Sequence, residues 1–533
     1  MEAYVRFVLE NAPRMLSNID RRRQSPTYGC ADRNYWHYKI VDFPCAMLQE
    51  TCLTLAQLYT IDFPGNIYYS RDAIREWALA AIDFWTKIQK KDGSFDEFYP
   101  KEHSFSPAAF TLYATCMAYR LLKLERPDIV AHAQKSTRFL LSYGDPGAGN
   151  QRVAAIAGIY AYYLISNDQS VRGELDGLIS TVLEQQRSEG WMPEYKGPDI
   201  GYQSITLGYL TDYYRLSKDE RVRDPIKSMI HFLSHFVHPD GSAGGEYGSR
   251  NTSYLAPHGF EINGQEIPLA RAIAEKVFLH ANPKVNVALD DRYICHFILP
   301  SYLTAIEHYS ETRNRVDLPC EQTLERYFRE CKIFVKSTEE YYFICNLQKG
   351  GVYKLFSKRG GSFSDTGYVL AQRKTLAISN WIDVHADIEV DGNRLEIRGL
   401  FHKMMTRVPT PFWHFMLRFV STFLGRKVLP LLKRRFILRE DAINVKLERV
   451  IEFRDDEIDV TDRVRSEDER PFDLYEADTL SYRYVAPTNY FSAEELTDLN
   501  AKRERMGKQV KHLSIEKRIT TCPWSVRKWK KEG

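Results

Sequence analysis

Over the first 315 residues the chain repeats one pattern. Helix-like segments come in pairs, and three of the turns after the charged members carry an acidic residue followed by a glycine. Apolar residues recur with a 3.6-residue period over residues 43–59, 71–88, 107–122, 129–143, 152–165, 171–186, 204–216 and 225–237. One member of each pair is charged on one side; the other is apolar almost all round and rich in Ala, Tyr and Thr. An all-round apolar helix must be buried, so its amphipathic neighbour shields it. The turns 89–95 (QKKDGSF), 186–191 (QRSEGW) and 238–242 (HPDGS) stand in the same relation to a helix end, where glycine supplies a left-handed cap. The apolar helices start near 43, 105, 151, 203 and 253, roughly every 50 residues. Outer-then-inner helices at a fixed period predict a solenoid or a closed (α/α) toroid with its repeating turns on one rim.

Near residue 330 the pattern changes. Short β-branched alternating runs at 352–356, 367–370, 384–390, 394–400, 445–453, 457–464 and 480–485 are separated by turn residues, notably Asp391-Gly392-Asn393. They predict an antiparallel β-sandwich. The expected fold is therefore a multidomain α+β chain, with a toroid over 1–315, a sandwich over 330–533 and a break between 310 and 330. Residues 411–435 (PFWHFMLRFVSTFLGRKVLPLLKRR) join an aromatic stretch to a basic one. They suit an amphipathic insertion, either lying on an anionic membrane surface or packed over the sandwich or the domain interface. The tail 526–531 (VRKWKK) is basic and reads as solvated or as a contact for a membrane or polyanion.

Composition narrows the function classes. A net charge of +3 gives no argument for nucleic acid. Nine cysteines without a CxxC pair fit a reducing compartment and exclude a cysteine zinc module. The N-terminus reads as an amphipathic helix, not a signal peptide, and no apolar run is long enough to span a bilayer. The expected location is cytoplasmic, at the inner membrane surface if 411–435 makes its contact. Aromatics at 13% suit stacking on sugar rings, as they also suit large helical cores.

The stretch 238–261 (HPDGSAGGEYGSRNTSYLAPHGFE) has no apolar period and is rich in Gly, Tyr, His, Arg, Asn and Glu, a composition that forms sites more readily than cores. Inner helices open on the same rim at Asn150-Gln151 and at Gly201-Tyr202-Gln203.

Glycine-rich rim turns on paired helices, the loop ending in Tyr254, the run 358–368 and His385-Ala386-Asp387 together resemble the heparinase II/III-like proteins and related alginate lyases. That resemblance implies a cleft between toroid and sandwich that binds acidic polysaccharide or oligosaccharide. It also implies β-elimination: a group neutralises the uronate carboxylate, a Tyr or His removes the C5 proton, and a Tyr protonates the leaving O4. Carried over to this sequence, it makes Tyr254 and Tyr247 acid/base candidates, with His258 as second base or orienting group and His385 contributed from the sandwich. Gln203, Arg250, Asn251, Tyr202 and Asn150 become carboxylate or sugar binders. The family's His-x-His-x-Asp pattern is Asp383-Val384-His385-Ala386-Asp387 here, so no metal site and no cofactor is expected. The alternatives are a uronosyl C5-epimerase, a carbohydrate-binding scaffold, and an (α/α)-barrel hydrolase using two of Asp92, Glu97, Glu194 and Glu246.

Overall fold

The computed structural model describes residues 1–144, 146–279, 285–287, 290–311, 316–404, 408–436, 441–477, 490–492 and 505–532. The helical region closes on itself. Inner helices Thr51–Thr60, Phe105–Leu121, Gly149–Ser166, Ile200–Ser217, His258–Asn263 and Leu299–Glu307 each pack on the next, and the last packs back on the first. Outer helices Asp72–Ile88, Pro127–Ser142, Arg172–Glu184, Arg223–Ser234 and Pro268–Ala274 flank the first five, and Glu2–Ser17 covers the sixth. The inner helix Phe105–Leu121 is buried almost throughout, whereas Asp72–Ile88 buries one stripe that includes Ile74, Ala78, Ala81, Ile82 and Trp85.

Three differences from the sequence reading have local causes. The first inner helix starts at Thr51, not 43, because Cys45 is extended and a 3₁₀ turn (Ala46–Glu50) precedes the helix. The rim glycines do not cap helices. Gly93, Gly190 and Gly241 lie two or more residues past the capping positions, in turns closed by Lys90 N–H to Ser94 O, Arg187 N–H to Trp191 O and His238 N–H to Ser242 O, each 2.9 Å. Their φ values of 88°, 98° and 83° still need glycine, and a Cβ on Gly190 would sit 2.3 Å from Ser228 O of the next outer helix. The sixth pair, Leu299–Glu307 with Glu2–Ser17, joins the two ends of the helical region and was not read from the period.

The helical region ends at Glu307, and the first strand after it begins at Leu324; a three-residue strand, Val285–Val287, lies before Glu307 and pairs antiparallel with Tyr490–Ser492. Strands β1 (Leu324–Phe328), β2 (Ile333–Ser337), β3 (Tyr341–Asn346), β4 (Val352–Ser357) and β5 (Ser362–Asp365) form an antiparallel meander. It is buried on both faces. Tyr342, Ile344, Val352 and Phe356 join the toroid core, while Tyr341, Phe343, Cys345 and Leu355 face the second sheet, the two-residue alternation of a pleated strand.

That second sheet contains β6 (Tyr368–Gln372), β7 (Thr375–Ile378), β8 (Asp387–Asp391), β9 (Arg394–Lys403), β10 (Ala442–Phe453), β11 (Glu457–Ser466), β12 (Phe472–Glu476), β13 (Arg505–Val510), β14 (His512–Thr521) and β15 (Trp524–Glu532). Its order is β13-β12-β6-β7-β9-β10-β11-β14-β15, with β8 paired to β9. Part of it curls around a core of its own that includes Tyr368, Phe401, Leu447, Phe472 and Ile515. Arg394 pairs with Asp391, so Gly392-Asn393 is a two-residue hairpin loop. The expected strand at 384–390 starts only at Asp387, because the Asp383 carboxylate accepts the His385 N–H and turns the chain. Residues 480–485 lie outside the described residues. The basic tail is not a free tail but the edge strand β15, with Lys528 bound to Glu476.

The insertion forms two helices, Pro411–Leu424 and Val428–Phe436. It hangs on the toroid rim, not over the sandwich: Arg418 pairs with Asp42, Ser421 Oγ donates to Pro100 O (3.1 Å), and Lys101 Nζ donates to Thr422 Oγ1 (3.1 Å). Among the described residues no helix is long and apolar enough to cross a membrane.

Candidate active site

A cleft of about 550 Å³ opens on the rim, walled by toroid loops, inner-helix starts and the second insertion helix. Glu97, Phe98 and Tyr99 come from the loop after the first repeating turn, and Tyr195 from the equivalent loop after the second. Asn150, Gln151 and Tyr202 stand in the first turns of inner helices. Arg292, Tyr293, His296 and Phe297 come from the irregular segment before the sixth inner helix, and Leu429 and Leu432 from the insertion.

The residue holding this arrangement together is Asp199, the N-cap of Ile200–Ser217. Its buried carboxylate accepts from Tyr202 N (3.3 Å), Arg250 N (2.9 Å), Thr252 N (3.3 Å) and the Thr252 hydroxyl. The stretch 245–252 is thereby sewn to an inner-helix start, with Arg250 facing the cleft. From the sandwich, Lys349 Nζ donates to Gly248 O (2.8 Å), Glu246 O and Asn251 Oδ1, bracing the same loop from behind.

Inside the cleft two cations meet a set of phenols. Arg250 lies over the ring of Tyr195, 5.0 Å from its centroid, and Arg292 over Phe98 at 4.6 Å. Arg292 is paired with Glu97. The hydroxyls of Tyr202 and Tyr293 are 3.3 Å apart. The Asn150 backbone N–H donates to Glu194 (2.7 Å); its buried carboxamide oxygen has no partner, and neither has the Tyr99 hydroxyl. Burial raises Tyr195 and Tyr202 far above the ordinary phenol range and pushes Tyr293 up to about 12, while the Arg250 charge works against burial on all three. At the floor, His296 touches Glu50. Burial raises the carboxyl and lowers the imidazole, so both favour their neutral forms.

Of the residues singled out from the sequence, Tyr202, Arg250 and Asn150 meet in this cleft. The others do not. Tyr247 is fully buried, its hydroxyl 2.8 Å from His238 Nε2. Tyr254 is also buried, stacked on Phe297 with centroids 5.7 Å apart, behind the cleft wall. Gln203 latches the neighbouring rim loop, accepting from Met192 N (2.9 Å) and donating to Met192 O (2.6 Å). Asn251 serves Lys349. His258 lies in a separate chamber of about 150 Å³, with Nδ1 2.7 Å from Ser301 Oγ and Nε2 3.4 Å from Asp212. His385 is exposed on its turn and does not line the cleft.

The four carboxylates weighed for hydrolysis are also dispersed. Asp92 binds His103, Glu194 backs Asn150, Glu246 pairs with Lys354, and only Glu97 lines the cleft. Among the described residues no cluster of three or more His, Cys, Asp or Glu side chains is arranged to hold a metal ion. Sequence reasoning missed Tyr195, Arg292, Tyr293, His296 and Tyr99.

No family model matches the chain, and no curated protein matches it in sequence. Among solved structures it is similar to the chondroitin AC lyase of Streptomyces coelicolor A3 in complex with chondroitin sulphate, at TM-score 0.56 and 12% identity over 88% of this chain and 67% of that one. A mutant of the same enzyme gives 0.53 at 11% over the same shares. A heparinase III gives 0.44 at 10% over 100% and 90%. The fold resembles that of polysaccharide lyases. In this lyase-like frame the chain spans about two thirds of the chondroitin lyase, with its cleft at the rim.

Proposed function

We propose that this chain is an enzyme acting on uronic-acid-containing polysaccharide, abstracting the C5 proton and eliminating the substituent at O4. The observation that carries the reading is the placing of the Tyr202 and Tyr293 hydroxyls, 3.3 Å apart, in one cleft with Arg250 and the unpartnered Asn150 carboxamide oxygen.

A C5 proton beside a carboxylate is weakly acidic because the product carbanion adds negative charge to a group already charged. A cation and hydrogen-bonding groups at the carboxylate spread that charge into an enolate. Arg250 supplies the cation. The Asn150 carboxamide contributes hydrogen bonds, its NH₂ to the carboxylate and its oxygen to a sugar hydroxyl. Tyr202, the more exposed phenol of the pair, takes the C5 proton as phenolate, favoured by Arg250 and a hydrogen bond from Tyr293. The proton it gains then goes to the departing O4, so the base of the first step is the acid of the second. The Glu97–Arg292 pair fixes the opposite wall, and Tyr99 and Phe98 offer faces to sugar rings. The solved complex of the similar lyase with chondroitin sulphate supports a polysaccharide ligand.

Incubation with a panel of uronic-acid polymers in heavy water tests the reading. The expected result is ultraviolet absorbance from the alkene conjugated to the carboxylate, lost in Tyr202→Phe. C5 hydrogen exchange without absorbance would mean an epimerase, and reducing ends without either a hydrolase. Binding alone that survives Tyr202→Phe would leave a scaffold.

A further inference from the structure

The insertion at 411–436 presents a large apolar surface to solvent. Phe412, Phe415, Phe419 and Phe423 follow one another at helical spacing, and Trp413 flanks them. All five are more than half exposed, Phe423 at 72%. Ser421, on the other side, is buried towards the toroid, where it is pinned to Pro100 and Arg418 to Asp42. The helix is thus fastened to the rim by its small and polar positions and holds its aromatic positions outward. A soluble chain rarely leaves such a contiguous patch uncovered.

Charge selects the occupant. From 408 to 436 the sequence has six Lys or Arg (418, 426, 427, 433, 434 and 435) and no Asp or Glu. A second copy docked face to face would bring these cations against their own counterparts. An anionic lipid surface attracts them and takes the Phe and Trp rings among its acyl chains and headgroups. At 14 and 9 residues the two helices are too short to span the hydrocarbon and suit lying in its surface.

We propose that residues 411–436 dock this protein on a bilayer containing anionic lipid. Because Leu429 and Leu432 of the same hairpin wall the cleft, docking brings the cleft mouth to the lipid surface. A polymer still attached at a membrane is then the substrate best placed to enter. That last step rests on the function proposed above; the docking itself does not.

Flotation of the full chain with extruded vesicles tests the docking. Vesicles of phosphatidylcholine mixed with phosphatidylglycerol should carry the protein, and rising salt should release it. The triple variant F415S/F419S/F423S should weaken this binding by at least about tenfold, and R426E/K427E should do the same. Cleavage of soluble oligosaccharide should be unchanged in the triple variant, which separates loss of docking from failure of the catalytic reading. Three results would overturn the proposal: no flotation with mixed vesicles, flotation unaffected by the triple variant, or a wild-type dimer in sedimentation velocity that the triple variant dissolves.

Discussion

Arg250 lays its guanidinium over the ring of Tyr195, 5.0 Å from the centroid, while its own buried Nε has no hydrogen-bond partner. Its backbone N–H, not its side chain, is what Asp199 holds. The loop therefore keeps its shape without the guanidinium. Arg250→Ala is expected to lower kcat/KM by roughly 10²–10³, the cost of losing one charge-stabilising group, with little change in Tm. Steady-state kinetics beside a thermal melt check both halves, and Arg250→Lys should recover only part of the rate because one ammonium cannot stack and bind bidentately.

On the function proposed above, the phenols of the cleft set the pH dependence of turnover. Burial holds Tyr202 and Tyr195 well above the ordinary phenol range, and Tyr293 at about 12, against the opposing pull of Arg250. Raised values keep these groups protonated at neutral pH, so a phenolate base is a minor species that grows as pH rises. The profile of kcat/KM is expected to climb through the alkaline range. In Arg250→Ala the climb should move to still higher pH, because burial then acts without its counterweight. A rate that falls above neutrality would rule out a phenolate as the base.

Lys349 ties the loop that carries Arg250 to the sandwich. Its amine is fully buried and spends its donors on Glu246 O, Gly248 O and Asn251 Oδ1. Lys349→Met keeps the stem but removes the donor to Glu246 O, Gly248 O and Asn251 Oδ1. We expect a loss of about 2–3 kcal/mol of stability in denaturant titration. The loop with Arg250 should also loosen, seen as a kcat/KM that drops further than folding alone explains, while Tyr202 stays in place on its helix.

The helix period and the strand alternation made the architecture readable, because burial dictates both. Positions within the site were harder to read. Tyr247 and Tyr254 look alike in sequence to a cleft tyrosine, but the loop folds inward at Gly244, whose Cβ would strike Thr252 O at 2.2 Å, and carries both rings into the core. Gln203 looks like a binder in the sequence because it opens an inner helix. One residue of helical rotation puts Tyr202 in the cleft and Gln203 against Met192. Two signals went unused. Each repeating turn is followed by Glu and an aromatic residue, at Glu97-Phe98, Glu194-Tyr195 and Glu246-Tyr247. Extending the period by one more step reaches the helix at Leu299, and the segment before it carries Arg292, Tyr293 and His296. The aromatic insertion was legible as amphipathic, but which face it exposed depended on contacts with Asp42 and Pro100 far away in sequence.

The sandwich has its own charged centre, and its response to acid follows from geometry. Arg449 on β10 reaches across to its strand neighbour Asp462 on β11 through Nε (2.6 Å) and Nη2 (2.8 Å), and to Asp365 at the end of β5 through Nη1 (3.2 Å). Lys517 on β14 also binds Asp365, and all four side chains are buried. Burial alone would raise the Asp365 carboxyl, but Arg449 and Lys517 overcome it and hold it below the usual carboxylate range. A depressed folded value means this stabilisation is full above the unfolded value near ~3.9 and is lost as pH falls towards the folded one. Unfolding free energy should therefore be level from neutral pH down to about 5 as far as this site is concerned, then decline steeply. Arg449→Met leaves two buried carboxylates to one lysine and is expected to cost about 3–5 kcal/mol at neutral pH. Its deficit should shrink in acid, because protonating Asp365 removes charge that Arg449 had balanced. Denaturant titrations of both proteins at pH 7 and at about pH 3, inside the range where this stabilisation is lost, measure that convergence, and a deficit that stays constant across the two would refute the assignment.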